Sequence, residues 1–166
     1  LITVHRVKEK WYFEISDSIL NRSMMAVTRY SKTAAGGGIY GGEEVKRQML
    51  HWEKGPANKL FIRSNTIVVN SPDSSKPIFQ SVLNSNSDPI IASFDIKAIK
   101  TSANNKSYVI DVTDYFNGDE QSFGLGSVRK QLLKLKSIQK ESSFINRISA
   151  YPINIEIRTT KTYDIV

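Results

Sequence analysis

The chain has 166 residues, 23 Lys and Arg against 16 Asp and Glu, a formal charge of +7 and no cysteine. Disulfides and thiolate metal sites are therefore excluded, and no apolar run approaches the ~20 residues that a membrane-spanning helix needs. The length fits one domain able to bury about 70% of the surface its unfolded form exposes.

The first segments, ITVHRV and KWYFEI, predict a hairpin turning around Lys8, Glu9 and Lys10, with Trp11, Phe13 and Ile15 on one face and Tyr12 and Glu14 on the other. Ser16, Asp17 and Ser18 are suited to cap one helical turn through Ile19, Leu20 and Asn21. MMAVTRYS then returns to β-type composition. VKRQMLHWEK reads two ways: its residues favour helix, whereas Gln48, Leu50 and Trp52 against Arg47, Met49 and His51 permit a strand, broken at Gly55-Pro56. KLFIRSNTIVVN predicts a strand closed by the polar turn Ser71 to Ser75. PIFQSVLNSNS predicts a helix that starts at Pro77 and lines up Ile78, Phe79, Val82 and Leu83.

IIASFDIKAI and YVIDVTDYF predict two strands, separated by a polar loop from Thr101 to Lys106 and ended by Asn117-Gly118. Arg129, Lys130, Lys134, Lys136 and Lys140 are interleaved with Leu132, Leu133, Leu135 and Ile138, the pattern of a solvated face on an amphipathic element. ESSFINRISAYP reads as a short helix capped by Ser142 or Ser143 and stopped before Pro152. INIEIRTTKTYDIV reads as one long strand in which Ile153, Ile155 and Ile157 alternate with Asn154, Glu156 and Arg158. Many strands, few helices and no regular βαβ alternation give an α+β, mainly β class: antiparallel sheet in a sandwich or barrel-like arrangement with two or three short helices, spanning 1–166 as one unit.

Five of the nine glycines fall between Ala34 and Glu44, and Gly36, Gly38 and Gly41 spell G-x-G-x-x-G. A dinucleotide loop needs an acidic residue about 20 positions later, a window that falls near Phe61, where KLFIRSNTIVVN has no carboxylate. A P-loop closes with Gly-Lys-Ser/Thr, but Gly42 is followed by Glu43 and Glu44, which repel phosphate. The run is read instead as a structural connection between strands.

The two histidines, His5 and His51, stand alone in strand-like sequence, and no H-E-x-x-H places two imidazoles and a carboxylate on one helix face. Asp111, Asp114, Asp119 and Glu120 form the densest carboxylate group, but their spacing is not that of a calcium loop, and solvated strand-end and turn acids are the simpler reading. No G-x-S-x-G elbow is present. No residue is assigned a catalytic, cofactor-binding or metal-binding role. Of the aromatic side chains, Tyr12, Trp52 and Tyr40 are the candidates for a contact surface, although core packing is the default for most rings in alternating strands.

The ordered set LITVHRVKEKWYFEISDSILNR, AAGGGIYGGEEVKRQMLHWEKG, DPIIASFDIKAIK, VIDVTDYF and FINRISAYPINIEIRTTKTY resembles the noncatalytic N-terminal region, made of domains of unknown function, that precedes the catalytic domain in a family of large bacterial zincin-like zinc-dependent metallopeptidases. The similarity covers nearly the whole chain. It departs from the family pattern at Ser16, where Pro is expected, and at Met24-Met25, where aliphatic residues are usual. The resemblance implies an exported parent, in the periplasm, cell envelope or medium, whose H-E-x-x-H zinc site lies beyond Val166. It also implies a partner, the downstream catalytic domain, and through it a peptide substrate. No zinc ligand carries over to this chain. The start at Leu1 rather than Met is read as that of a piece of a longer protein.

The charge supports a rival of another class, a free-standing basic module for nucleic acid or another polyanion, centred on Arg129 to Lys140. The scatter of the other cations along the chain argues against a nucleic-acid groove.

Overall fold

The computed structural model describes residues 2–36, 38–66, 75, 77, 78, 81 and 86–165. The chain is mainly β, and its described residues form a curled seven-stranded antiparallel sheet with two short helices and two separate two-stranded sheets. In chain order the strands are β1 (Ile2–Val7), β2 (Lys10–Ser16), β3 (Met24–Arg29), β4 (Glu44–Lys54), β5 (Lys59–Ser64), β6 (Ile90–Ser102) and β7 (Asn105–Asp111). Helices α1 (Thr113–Asn117) and α2 (Ser127–Leu132) follow, then β8 (Leu135–Ile138), β9 (Phe144–Ala150), β10 (Ile155–Thr160) and β11 (Tyr163–Ile165). The spatial order of the main sheet is β1-β2-β7-β6-β5-β4-β3, with β9 pairing β10 and β8 pairing β11 outside it.

The 13-residue β6 explains the curl. Its first half pairs with β5 and its second half with β7, and the register shifts between Ile96 and Ala98. An extra residue at such a point bends the strand and raises its twist, so one strand turns the sheet into a half-barrel. Asn58 pins the bend, accepting from Ile96 N at 3.0 Å and donating through its side chain to Ile96 O at 3.1 Å.

Alternation then sorts the residues. Phe13 lies opposite Ile110, Ile15 opposite Tyr108, Leu60 opposite Phe94 and Trp52 opposite Ile62, all buried on the concave face. The two-way segment 45–54 is thus a strand, with Leu50 and Trp52 inward; its pairing with two neighbours overrides the helical preference of its residues. The concave face is filled by Tyr115 and Phe116 of α1, Phe123 after it, and Ile148, Ile155 and Ile157 of the β9-β10 hairpin. Ring centroids 5.2 Å apart in Phe94–Tyr115 and Tyr115–Phe116, and 5.8 Å in Phe116–Phe123, give edge-to-face packing.

Several expected elements differ. YVIDVTDYF is strand only to Asp111, because the Asp111 carboxylate accepts from Thr113 N at 3.0 Å and starts α1. The polar stretch Thr101 to Lys106 is not a loop: Thr101 pairs with Lys106 and Ser102 with Asn105, so the strands run almost to the turn. ESSFINRISAYP forms strand β9, not a helix, preceded by a 3₁₀ turn at Lys140–Ser142. Between the pairs Arg158–Arg147 and Thr159–Ile145 the register skips Asn146, and this bulge turns both Ile145 and Ile148 toward the core. Their three-residue spacing imitates a helix face. The long terminal strand is two strands, parted at Lys161-Thr162, where Ser143 Oγ accepts from Thr162 N at 3.0 Å. Ile153 lies in the β9-β10 turn, 95% exposed, and takes no part in the alternation. Residues 67–70 of the expected strand, 71–74 of the expected turn and most of the helix expected at 77–87 lie outside the described residues.

Candidate functional site

A group of electrostatically perturbed side chains gathers around the end of α1. Burial raises the Glu120 carboxyl above its ordinary range, against the pull of backbone N–H groups of Phe123 and Gly124 and of Lys161. Burial lowers the Lys161 ammonium, against Glu120 and Asp119. Burial, then Glu120, pushes the Tyr115 hydroxyl up to about 12. Such shifts can mark a catalytic site, but here Lys161 and Glu120 are both spent on the fold. Lys161 Nζ donates to the carbonyls of Phe116 and Gly118 at the end of α1, while Glu120 accepts from Phe123 N at 2.7 Å and Gly124 N at 3.2 Å. Asp119 accepts from Lys130 at 2.6 Å and from the Tyr163 hydroxyl at 2.8 Å. The carboxylate cluster is therefore split: Asp111 is bonded at the strand end with Lys10, and Glu120 forms an internal knot rather than a solvated turn.

Four strands lie between the two histidines in the sheet order. His5 Nε2 lies 2.8 Å from Glu14, which also accepts from Ser107 Oγ at 2.7 Å. His51 Nδ1 lies 2.6 Å from the Asn65 amide oxygen, and Asn65 donates in turn to Ser23 Oγ. Glu53 and Asp88 lie at 3.9 and 4.0 Å from the His51 ring, and Glu53 is held by Arg63. Among the described residues no group of three or more His, Asp or Glu could hold a metal ion, so this donor set does not fit a zinc centre.

The glycine run joins β3 to β4 as a closed loop. Gly42 N donates to Tyr30 O at 2.6 Å and Tyr30 N to Glu43 O at 3.0 Å, shutting its base. The Glu43 side chain accepts from Tyr40 N at 2.8 Å. This loop thus supplies its own carboxylate to an amide that a phosphate-binding loop leaves for its ligand. Gly36, Gly38 and Gly42 have φ of 83°, 67° and 92°, the left-handed region that other L-residues disfavour.

Of the three candidate contact residues, Tyr40 is 75% exposed at this loop, Tyr12 is half-buried on the convex face, and Trp52 is 4% exposed in the core. Trp52 presents no ring to a partner. Nearby is apolar surface that the sequence reading passed over. Met25, Val27 and Met49 are exposed on the convex side of β3 and β4. A shallow cleft of about 340 Å³ opens between Val45 and Lys46 of β4 and Val128, Arg129 and Leu132 of α2. The readable signal was in MMAVTR, whose first four residues are apolar on both parities where a half-solvated strand alternates. Of the basic segment, Arg129 stacks over the Tyr30 ring at 5.6 Å and Lys130 binds Asp119, so two of its cations face the protein.

Residues 42–165 match the family described as Domain of unknown function (DUF5117). The chain belongs to the DUF5117 family. Residues 1–33 match a second description, Domain of unknown function (DUF5118). No curated protein and no solved structure matches the chain. In this DUF5117 chain the space between the two matched segments is occupied by the glycine loop, yet both segments build one sheet. The first contributes β1 and β2, of which β2 pairs with β7, and also β3, which pairs with β4. The DUF5118 segment thereby supplies both outer edges of a sheet whose centre is DUF5117. Among the described residues, no helix is long and apolar enough to cross a membrane.

Proposed function

We propose that this chain is a noncatalytic accessory domain of a secreted or envelope zinc-dependent metallopeptidase, packed against the catalytic domain and helping to shape access of a peptide substrate. The observation that carries the reading is the division of labour on the surface. Glu120 and Lys161, the buried groups of opposite charge, are tied to backbone, whereas exposed apolar side chains lie on β3, the glycine loop and α2, at Met25, Val27, Tyr40, Val128 and Leu132. That distribution suits docking rather than chemistry. The metallopeptidase assignment itself rests on the family resemblance of the ordered segments, and on that reading zinc and its H-E-x-x-H ligands would belong to the polypeptide beyond Val166.

The test has two parts. Zinc titration and peptide digestion with the purified chain should give no stoichiometric metal uptake and no cleavage, and the reading frame past Val166 should encode H-E-x-x-H. Zinc-dependent proteolysis by the chain alone would overturn the proposal.

A further inference from the structure

The two edges of the sheet are built differently. An edge strand exposes alternate backbone N–H and C=O groups, and proteins blunt such edges with charge, proline or a cover. β1 carries His5 and Arg6 and packs against β9. β3 has apolar side chains on both faces: Met24 and Ala26 lie half-buried against the concave core, while Met25 and Val27 are 61% and 38% exposed on the convex side. Its only bulge lies at the far end, between Thr28 and Arg29. Among the described residues, β4 is its sole strand partner.

We infer that the edge of β3, Met24 to Thr28, which has no strand partner among the described residues, binds an extended polypeptide strand with acidic residues at its ends, which adds to the half-barrel as an eighth strand. The backbone supplies the ladder. The strand's alternate side chains would cover Met24 and Ala26 on one face and Met25, Val27 and Met49 on the other. Charge selects the occupant. Arg22 is exposed before the strand, and at the other end Arg29 and Arg47 share the single carboxylate of Glu44, at 3.1 and 2.7 Å, leaving a net positive charge. The same cations argue against a second copy of this chain, because a two-fold antiparallel pairing of β3 brings Arg22 of one copy to Arg29 of the other. The inference does not depend on the metallopeptidase reading: it concerns this edge whatever the parent polypeptide does.

The probe is a fluorescently labelled seven-residue peptide of alternating valine and threonine with aspartate at both ends. Fluorescence anisotropy should show saturable binding below about 1 mM, with amide-exchange protection confined to 24–29. A lysine-ended peptide, and one N-methylated on alternate amides, should each bind at least about tenfold more weakly, a difference of ~1.4 kcal/mol. Val27→Lys with Met25→Lys, which blunts the edge from the solvent face, should lower affinity similarly while leaving the unfolding midpoint within the range of surface substitutions. Ala26→Pro is the stricter variant, and its folding is checked by circular dichroism. Absence of binding, equal binding of the N-methylated peptide, or protection elsewhere in the sheet overturns the inference. So does a concentration-dependent dimer that the double lysine variant dissolves, since that outcome gives the edge to a second copy.

Discussion

Lys161 Nζ donates to the carbonyl oxygen of Phe116 at the C-terminal end of α1. A helix leaves its last carbonyls without intrahelical partners, and α1, at five residues, has little propensity to persist unaided. The ammonium satisfies two of those oxygens, at Phe116 and Gly118, and sits within the field of Glu120 and Asp119. Because Phe116 packs on Phe13 at 6.1 Å, the lysine also fixes a ring of the core. Lys161→Met keeps the stem and removes the charge, so it should cost about 2–4 kcal/mol. Urea denaturation monitored by circular dichroism measures this, with an unchanged m value showing that the native fold persists.

The pH dependence has a defined source at Glu14. Its carboxyl is held below the ordinary value of 4.5 by the Ser107 hydroxyl first and by His5 next. A folded pKa below the unfolded one gives stability that is present above the unfolded value and lost as pH falls through the folded one. The wild-type chain should therefore lose stability below about pH 4.5, and Glu14→Gln should be less stable at neutral pH with a shallower acid limb. Denaturant midpoints taken from pH 3 to 7 decide it; parallel curves for the two proteins would exclude Glu14 as a source.

The concave face should show the usual contrast between core and surface. Ile110 is fully buried between Phe13 of β2 and Ile96 of β6, so Ile110→Ala should destabilise by about 2–5 kcal/mol through lost contacts and a cavity. Ile153→Ala, in the exposed β9-β10 turn, should stay within about 0.5 kcal/mol. Thermal and urea unfolding of the pair check both.

Gly55 offers a steric test. A Cβ there would lie 2.2 Å from the Phe61 ring, inside any allowed contact. Gly55→Ala must displace that ring from the β4-β5 hairpin and should cost about 1–3 kcal/mol, whereas Gly126→Ala, with open space around its position, should cost less. The comparison of unfolding midpoints is the measurement.

Most of the sheet was legible because strict alternation survives in it. Phe13 and Ile15 against Tyr12 and Glu14 declare a concave and a convex side without help from tertiary structure, whereas Leu50 and Trp52 against Met49 and His51 do so only once pairing with β3 and β5 makes the segment a strand. The failures have local physical causes. A bulge at Asn146 puts Ile145 and Ile148 on one side at helical spacing, and an aspartate at the end of β7 turns an apparent strand into α1 through one side-chain bond. The exposed apolar surface was harder to read, because its residues, Met25, Val27 and Leu132, are the types that sequence reasoning assigns to a core. Tyr40 could be placed from its position among glycines, but Trp52 could not, since a large ring in a strand looks the same from the sequence whether it faces inward or outward.

The first segment's hold on both sides of the sheet carries a cost in time. Tyr12 pairs with Asp111, so β2 has its second neighbour only after the long stretch between them has been made. At the usual pace of translation that interval is roughly 5–20 s, during which the early hairpin is a two-stranded piece of marginal stability. Closing so distant a pair also places much of the loop entropy ahead of the contacts that offset it. Folding of this chain should therefore be slow and late, committed when β7 arrives rather than when the first hairpin forms.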